Sequence, residues 1–130
     1  FFYGENYAER KKNKNGGSIV FVSSTAALDA NQGRNAYASS KAALISQSKV
    51  LSRELGTKNI RVNSIAPGIT DTEMLKKNTP ENLVKKIKES TSLSRIARPE
   101  EIANVILFLS SDLASYITGQ TFHVNGGMLM

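Results

Sequence analysis

No cysteine occurs in the 130 residues, which excludes a disulfide framework and a Cys-based metal site. That absence fits a reducing compartment, and a cytoplasmic location is expected. Long hydrophobic runs are also missing. Nothing approaches the roughly 20 consecutive apolar residues of a membrane-spanning helix, and the first residues contain no signal-peptide core. Internal repeats and low-complexity segments are absent. Acidic residues are the scarcer charge, 11 Asp and Glu against 17 Lys and Arg, for a net charge of +6. Such a balance suits an anionic partner, but the cations are dispersed apart from Arg10-Lys11-Lys12 and Lys85-Lys86. Neither cluster has stacking aromatics beside it, so both read as solvated helix surface and not as a nucleic-acid site.

What is present is an ordinary globular balance, with 40% apolar and 22% charged residues in a length suited to one domain. The chain begins at Phe1-Phe2-Tyr3, an apolar cluster that reads as cut from a larger core, so a fragment of a longer protein is expected. Residues 1–12 read as the tail of a helix and 13–17 as a turn. Ser18 to Ser24 is an unbroken apolar run rich in β-branched residues, the pattern of a strand buried on both faces. After a loop from Asp29 to Asn35, a helix is expected from Ala36 to Leu55, with Gly56 as its stop. Its first half is built of small residues and its core stripe includes Leu44, Leu51 and Leu55.

A second strand spans Ile60 to Ala66 and closes on Pro67-Gly68. Two short helices follow near 73–77 and 80–90, the latter with Thr79 as cap and Pro80 as first residue. A helix from Pro99 carries Ile102, Val105, Ile106 and Leu109 on one stripe, with Glu100 and Glu101 at its positive end. Gln120 to Val124 is the last strand. Strands alternating with helices predict an α/β fold with a parallel, helix-covered sheet. Three strands amount to one half of a Rossmann-like doubly wound fold and leave a raw edge.

Tyr37 and Lys41 are four residues apart, so a helix projects them from one face. A free phenol ionises near pH 10 and is a poor base at neutrality, but a neighbouring ammonium favours phenolate. Tyr-x-x-x-Lys is therefore a plausible proton-transfer pair. The spacing alone is weak evidence, because Tyr7 and Lys11 share it among the charges of a helix end. Tyr37 differs in opening a small-residue helix just after a buried strand, and sites in open α/β sheets form beyond the strands' C-terminal ends.

Four segments together, Gly17 to Ser24, Tyr37-Ala-Ser-Ser-Lys41, Asn63-Ser-Ile-Ala-Pro-Gly68 and Gly119 to Gly127, resemble the core of the classical short-chain dehydrogenase/reductases. They occur in family order over roughly residues 16–130. Arg98 to Ala103 and Tyr116 to Gly119 look most like the β-ketoacyl-[acyl-carrier-protein] reductases. The resemblance implies a C-terminal half-domain of an oxidoreductase that interconverts a carbonyl and a secondary alcohol with NAD or NADP, NADP being favoured. Ser24, 13 residues before Tyr37, would hold the substrate oxygen. Tyr37 would be the general acid or base, and Lys41 would support it and bind the nicotinamide ribose. Pro67 and Gly68 would turn backbone towards the nicotinamide, with Thr70 through its backbone and Thr72 at the carboxamide. Residues 69–95 would form the substrate-binding loop, and its lysines suit an acidic carrier protein or simply solubility.

The resemblance further implies a homo-oligomer, commonly a tetramer, acting on a small-molecule or carrier-linked carbonyl substrate, without nucleic acid, membrane or metal. His123, the only histidine, is assigned no chemistry. The family's Gly-x-x-x-Gly-x-Gly turn and its Asn-Asn-Ala-Gly segment are absent from these residues, and Asn6 does not stand at the place of the active-site Asn. The fragment alone is accordingly expected to bind coenzyme poorly. A non-catalytic interaction half-domain is the alternative, and a nucleic-acid binder the third reading.

Overall fold

A computed structural model describes residues 16–29 and 32–130, apart from the side chains of Met74 and Asn78. The expected N-terminal helix, the Tyr7–Lys11 pair and Asn6 lie outside the described residues. Strand β1 (Gly17–Val22), helix α1 (Asn35–Leu55), strand β2 (Ile60–Pro67), helices α2 (Glu73–Asn78), α3 (Glu81–Glu89) and α4 (Pro99–Ser110), and strand β3 (Thr121–Val124) follow in order. The three strands are parallel, in the order β1-β2-β3.

Alternation along the strands sorts their side chains onto two faces. Ile60 and Val62 pack with Leu51 and Leu55 of α1, joined by Ile19 and Phe21 of β1. Ile65 faces the other way and meets Ile102 and Leu109 of α4, Ala114, Val20, Phe122 and Val124. The result is a helix–sheet–helix sandwich in which β2 is the buried middle strand. Burying one such aliphatic side chain stabilises the fold by about 1.5–3 kcal/mol, so these two clusters carry the architecture.

Side-chain hydrogen bonds fix how α4 and β3 meet the sheet. The buried Asn63 donates from Nδ2 to Ile117 O (2.9 Å) and accepts at Oδ1 from Gln120 N (3.0 Å), steering the chain into β3. Arg61 donates to Leu109 O (2.6 Å) and Ser111 O (2.9 Å), satisfying carbonyls that the end of α4 would leave unpaired. At the other end of α4, Arg95 forks onto both Glu101 oxygens at 2.7 Å, and Arg98 N donates to Glu101 at 2.8 Å. The Arg95 guanidinium and then the Arg98 amide hold the Glu101 carboxyl at about 2, well below the usual carboxylate range.

The end of α1 holds, at Leu55 with Gly56 as C-cap, before a 3-10 turn that Asn59 (φ 56°) closes. Three other local expectations change. β1 stops at Val22 and is only half-buried, with Val22 exposed, because among the described residues it pairs on one side only, with β2. Thr79 does not cap α3. Pro80 occupies the cap position, where it offers no side-chain acceptor. The core stripe of α1 runs through Ile45, Ser48, Leu51 and Leu55, with Leu44 only partly buried, since a stripe at 3.6 residues per turn passes through 45 and 48.

Candidate active site

The last ladder bond of β1 is Ser23 N to Ile65 O (2.8 Å), after which the chain leaves the sheet. Ser24 is extended, and its Oγ accepts from Ala26 N (3.1 Å) to cap the 3-10 turn Thr25–Ala27. Capping uses a lone pair of the hydroxyl and leaves its proton for another acceptor. Tyr37 lies in the first turn of α1 and is half exposed. One turn later, the Lys41 ammonium is 5.8 Å from the Tyr37 ring centroid.

Lys41 is held at both ends. Its Nζ donates to Val22 O (3.0 Å), while the buried Ser23 Oγ donates to Lys41 O (2.8 Å). Two consecutive residues at the end of β1 thus clasp the helix turn that carries the cation. The Ser23 contact links residues 18 apart in sequence, and the Ser23-Ser24 doublet was its only outward signal.

Across the pocket, Pro67 ends β2, and Gly68 N donates to Val124 O (3.0 Å). A Cβ on Gly68 would lie 2.9 Å from Asn125 Cα, so only glycine allows this approach. Thr70 donates to Gly68 O (3.3 Å). An open cavity of about 370 Å³ results beyond the C-terminal ends of β1 and β2. Ser24, Tyr37, Lys41, Pro67, Gly68 and Thr70 line it, with Pro99 and Ile102 of α4. Thr72 is not in this lining; it is exposed, and its Oγ1 caps α2 by accepting from Leu75 N (3.3 Å).

A hydroxyl free to donate, a phenol and an ammonium around one pocket can hold an oxygen, exchange a proton with it and meet an anionic or polar ligand. A nicotinamide and its ribose fit that set of donors, and the glycine at 68 lets the turn after β3 pack closely behind the pocket wall. The exposed His123 lines a separate cavity of about 280 Å³ with Arg95, Glu101 and Asn125. Among the described residues no three His, Cys, Asp or Glu side chains cluster as a metal site, and no helix is long and apolar enough to cross a membrane. In the 69–95 segment, Lys76 pairs with Asp71 (3.3 Å) and Lys77 with Glu73 (3.6 Å). Lys85, Lys86 and Lys88 of α3 are exposed.

Fold and pocket define a Rossmann-like α/β protein with a Ser, Tyr and Lys set at the C-terminal ends of its strands. Residues 1–129 match the family model described as enoyl-(acyl carrier protein) reductase, and the chain belongs to the short-chain dehydrogenase/reductase family. It is 43% identical over 128 residues to the 3-oxoacyl-[acyl-carrier-protein] reductase of Aquifex aeolicus, covering 98% of this chain and 51% of that protein. The Chlamydia trachomatis enzyme of the same name is 49% identical over 112 residues, 86% of this chain and 45% of that protein. Among solved structures, a 7α-hydroxysteroid dehydrogenase complexed with NADH and 7-oxo glycochenodeoxycholic acid superposes with a TM-score of 0.87 at 42% identity, covering 92% of this chain and 47% of that one. The chain spans about half the length of the curated relatives it matches.

Proposed function

We propose that the full-length protein is an NAD(P)-dependent oxidoreductase that reduces a carbonyl to a secondary alcohol, and that this chain holds its proton-transfer half. The carrying observation is the convergence of Ser24, Tyr37 and Lys41 on one pocket beyond the strand ends. A bound nicotinamide would supply the hydride for the carbonyl carbon. Ser24 donates its hydroxyl to the carbonyl oxygen as charge gathers there. Tyr37 gives that oxygen its proton, and in oxidation takes it back. Lys41 presents positive charge to the phenolate left behind and, released from Val22 O, can reach the ribose hydroxyls. Pro67, Gly68 and the Thr70 backbone would face the nicotinamide ring, and Thr72, which caps α2 outside the pocket lining, would contact its carboxamide.

Within this reading, residues 1–130 are one partial domain and residues 69–95 are the substrate-binding segment. Two 3-oxoacyl-[acyl-carrier-protein] reductases among the relatives support a 3-oxoacyl thioester as substrate, and the exposed lysines of α3 suit an acidic carrier. NADPH is the expected coenzyme and a homo-tetramer the expected assembly. The outward Leu107, Leu113 and Tyr116 offer apolar surface for subunit contact.

The test is coenzyme oxidation by the full-length protein, with NADH and NADPH, on a 3-oxoacyl thioester and on a steroid ketone. Turnover of the thioester with NADPH is expected. Steroid turnover alone would replace the substrate class, and no coenzyme-dependent turnover of either would refute the reading.

A further inference from the structure

The segment that carries α2 and α3 leaves and rejoins the body at one point. Thr70 bridges Ala97 as an isolated parallel pair, with Asp71 N donating to Ala97 O (2.8 Å) and Ala97 N to Ile69 O (3.0 Å). Between these ends, α3 buries no residue, so little packing holds it. A second attachment lies at residues 91–93, which rest on the turn after β3. Leu93 N donates to Gly126 O (3.1 Å), and Ser92 Oγ donates to Gly127 O (3.1 Å).

The two glycines are shaped for that contact. Both have left-handed backbones, φ 62° at Gly126 and 79° at Gly127. A Cβ on Gly126 would come within 2.8 Å of Thr91 Cγ2; one on Gly127 would collide with Ser92 Oγ and lie 2.7 Å from Ser92 Cβ. Asn125 braces the turn, accepting from Gly127 N (3.0 Å) and donating to Leu129 O (2.8 Å). The same Asn125 backbone is what Gly68 packs against in the pocket wall. One residue therefore joins the turn to the site.

We propose that Gly126 and Gly127 are a seat for residues 91–93 that holds segment 71–96 in place beside the pocket, making Gly127 and Ser92 positioning residues for the substrate. The substrate part rests on the function proposed above; the seat itself does not. Methyl insertion at Gly127 strains the left-handed backbone and pushes Ser92 away, freeing the segment. Its lysines then report the change, because trypsin cleavage needs local opening of the backbone and a freed segment opens more often.

In the full-length protein, Gly127→Ala should speed native-state trypsin cleavage after Lys76, Lys77, Lys85, Lys86 and Lys88 about fivefold or more. It should raise KM for the carbonyl substrate while kcat changes less than about twofold. Gly33→Ala is the control: Gly33 has φ 79° too, but its Cβ would meet nothing within 4 Å, so cleavage of the segment should not change. Adding Ser92→Gly to Gly127→Ala should recover part of the protection by removing the collision. Unchanged cleavage in Gly127→Ala would overturn the seat. Faster cleavage with unchanged KM would overturn its role in positioning substrate. If Gly127→Ala fails to fold, Ser92→Ala deletes only the bond to Gly127 O: faster cleavage supports the seat and an unaltered rate refutes it. Altered cleavage in a protein with no carbonyl reduction would leave the seat standing and refute the proposed function.

Discussion

Polar side chains along β2 and those around the pocket are used in opposite ways. Asn63, at the centre of the sheet, spends both ends of its amide on Ile117 O and Gln120 N. Ser64 shares a 2.8 Å bond with Thr121, and Arg61 is forked onto the end of α4. At the pocket, Ser24 accepts one bond and keeps its proton, and Tyr37 is half exposed. Fully committed groups define where the chain goes, whereas groups with unused capacity are the ones that can act on a ligand. Substitutions in the two regions should therefore separate stability from rate.

A large effect on rate, with little on stability, is expected at Lys41. Lys41→Ala in the full-length protein should lower kcat/KM about 10²–10³-fold, the usual cost of losing one preorganised charge or donor. Its urea unfolding midpoint should move little, since the ammonium contact with Val22 O is exposed. A variant that loses stability and keeps its rate would reverse the comparison.

Asn63→Ala should do the opposite. It leaves the Gln120 amide and the Ile117 carbonyl without their side-chain partner beside a fully buried position, a cost of about 2–4 kcal/mol. Equilibrium denaturation checks the stability, and active-site titration should find kcat per folded molecule unchanged.

The smallest effect belongs to Glu101. Its carboxyl is held at about 2 against an ordinary 4.5. A depressed carboxyl contributes its full stability above about pH 4.5 and loses it as pH falls towards 2. Denaturation curves across that range should slope for the wild type. Glu101→Gln, with nothing to titrate there, should be flatter, and parallel slopes would remove Glu101 from the account.

Much of this division is legible in the sequence, for physical reasons. Apolar runs such as Ser-Ile-Val-Phe-Val and the stripe Ile102, Val105, Ile106, Leu109 announce β1 and α4, because periodicity is local. The pairing of Tyr37 with Lys41 follows from helical spacing alone. Other features depend on neighbours remote in sequence. The half-burial of β1 depends on its pairing on one side only among the described residues, the clasp of Ser23 on Lys41 spans a loop, and Gly68 is small because Asn125 sits against it. Gly56 marks the end of α1, but the left-handed residue that turns the chain into β2 is Asn59, after a 3-10 turn that no local pattern announced.

The proton-transfer assignment is tested most directly at the Tyr37 hydroxyl. Single-turnover coenzyme oxidation should be measured in full-length wild type and Tyr37→Phe, both saturated with NADPH and mixed with carbonyl substrate. The chemical step should slow about 10²–10⁴-fold in the Phe variant, with coenzyme affinity and unfolding midpoint nearly unchanged. A Phe variant that keeps more than about half the wild-type rate would contradict the account, because the proton would then come from elsewhere.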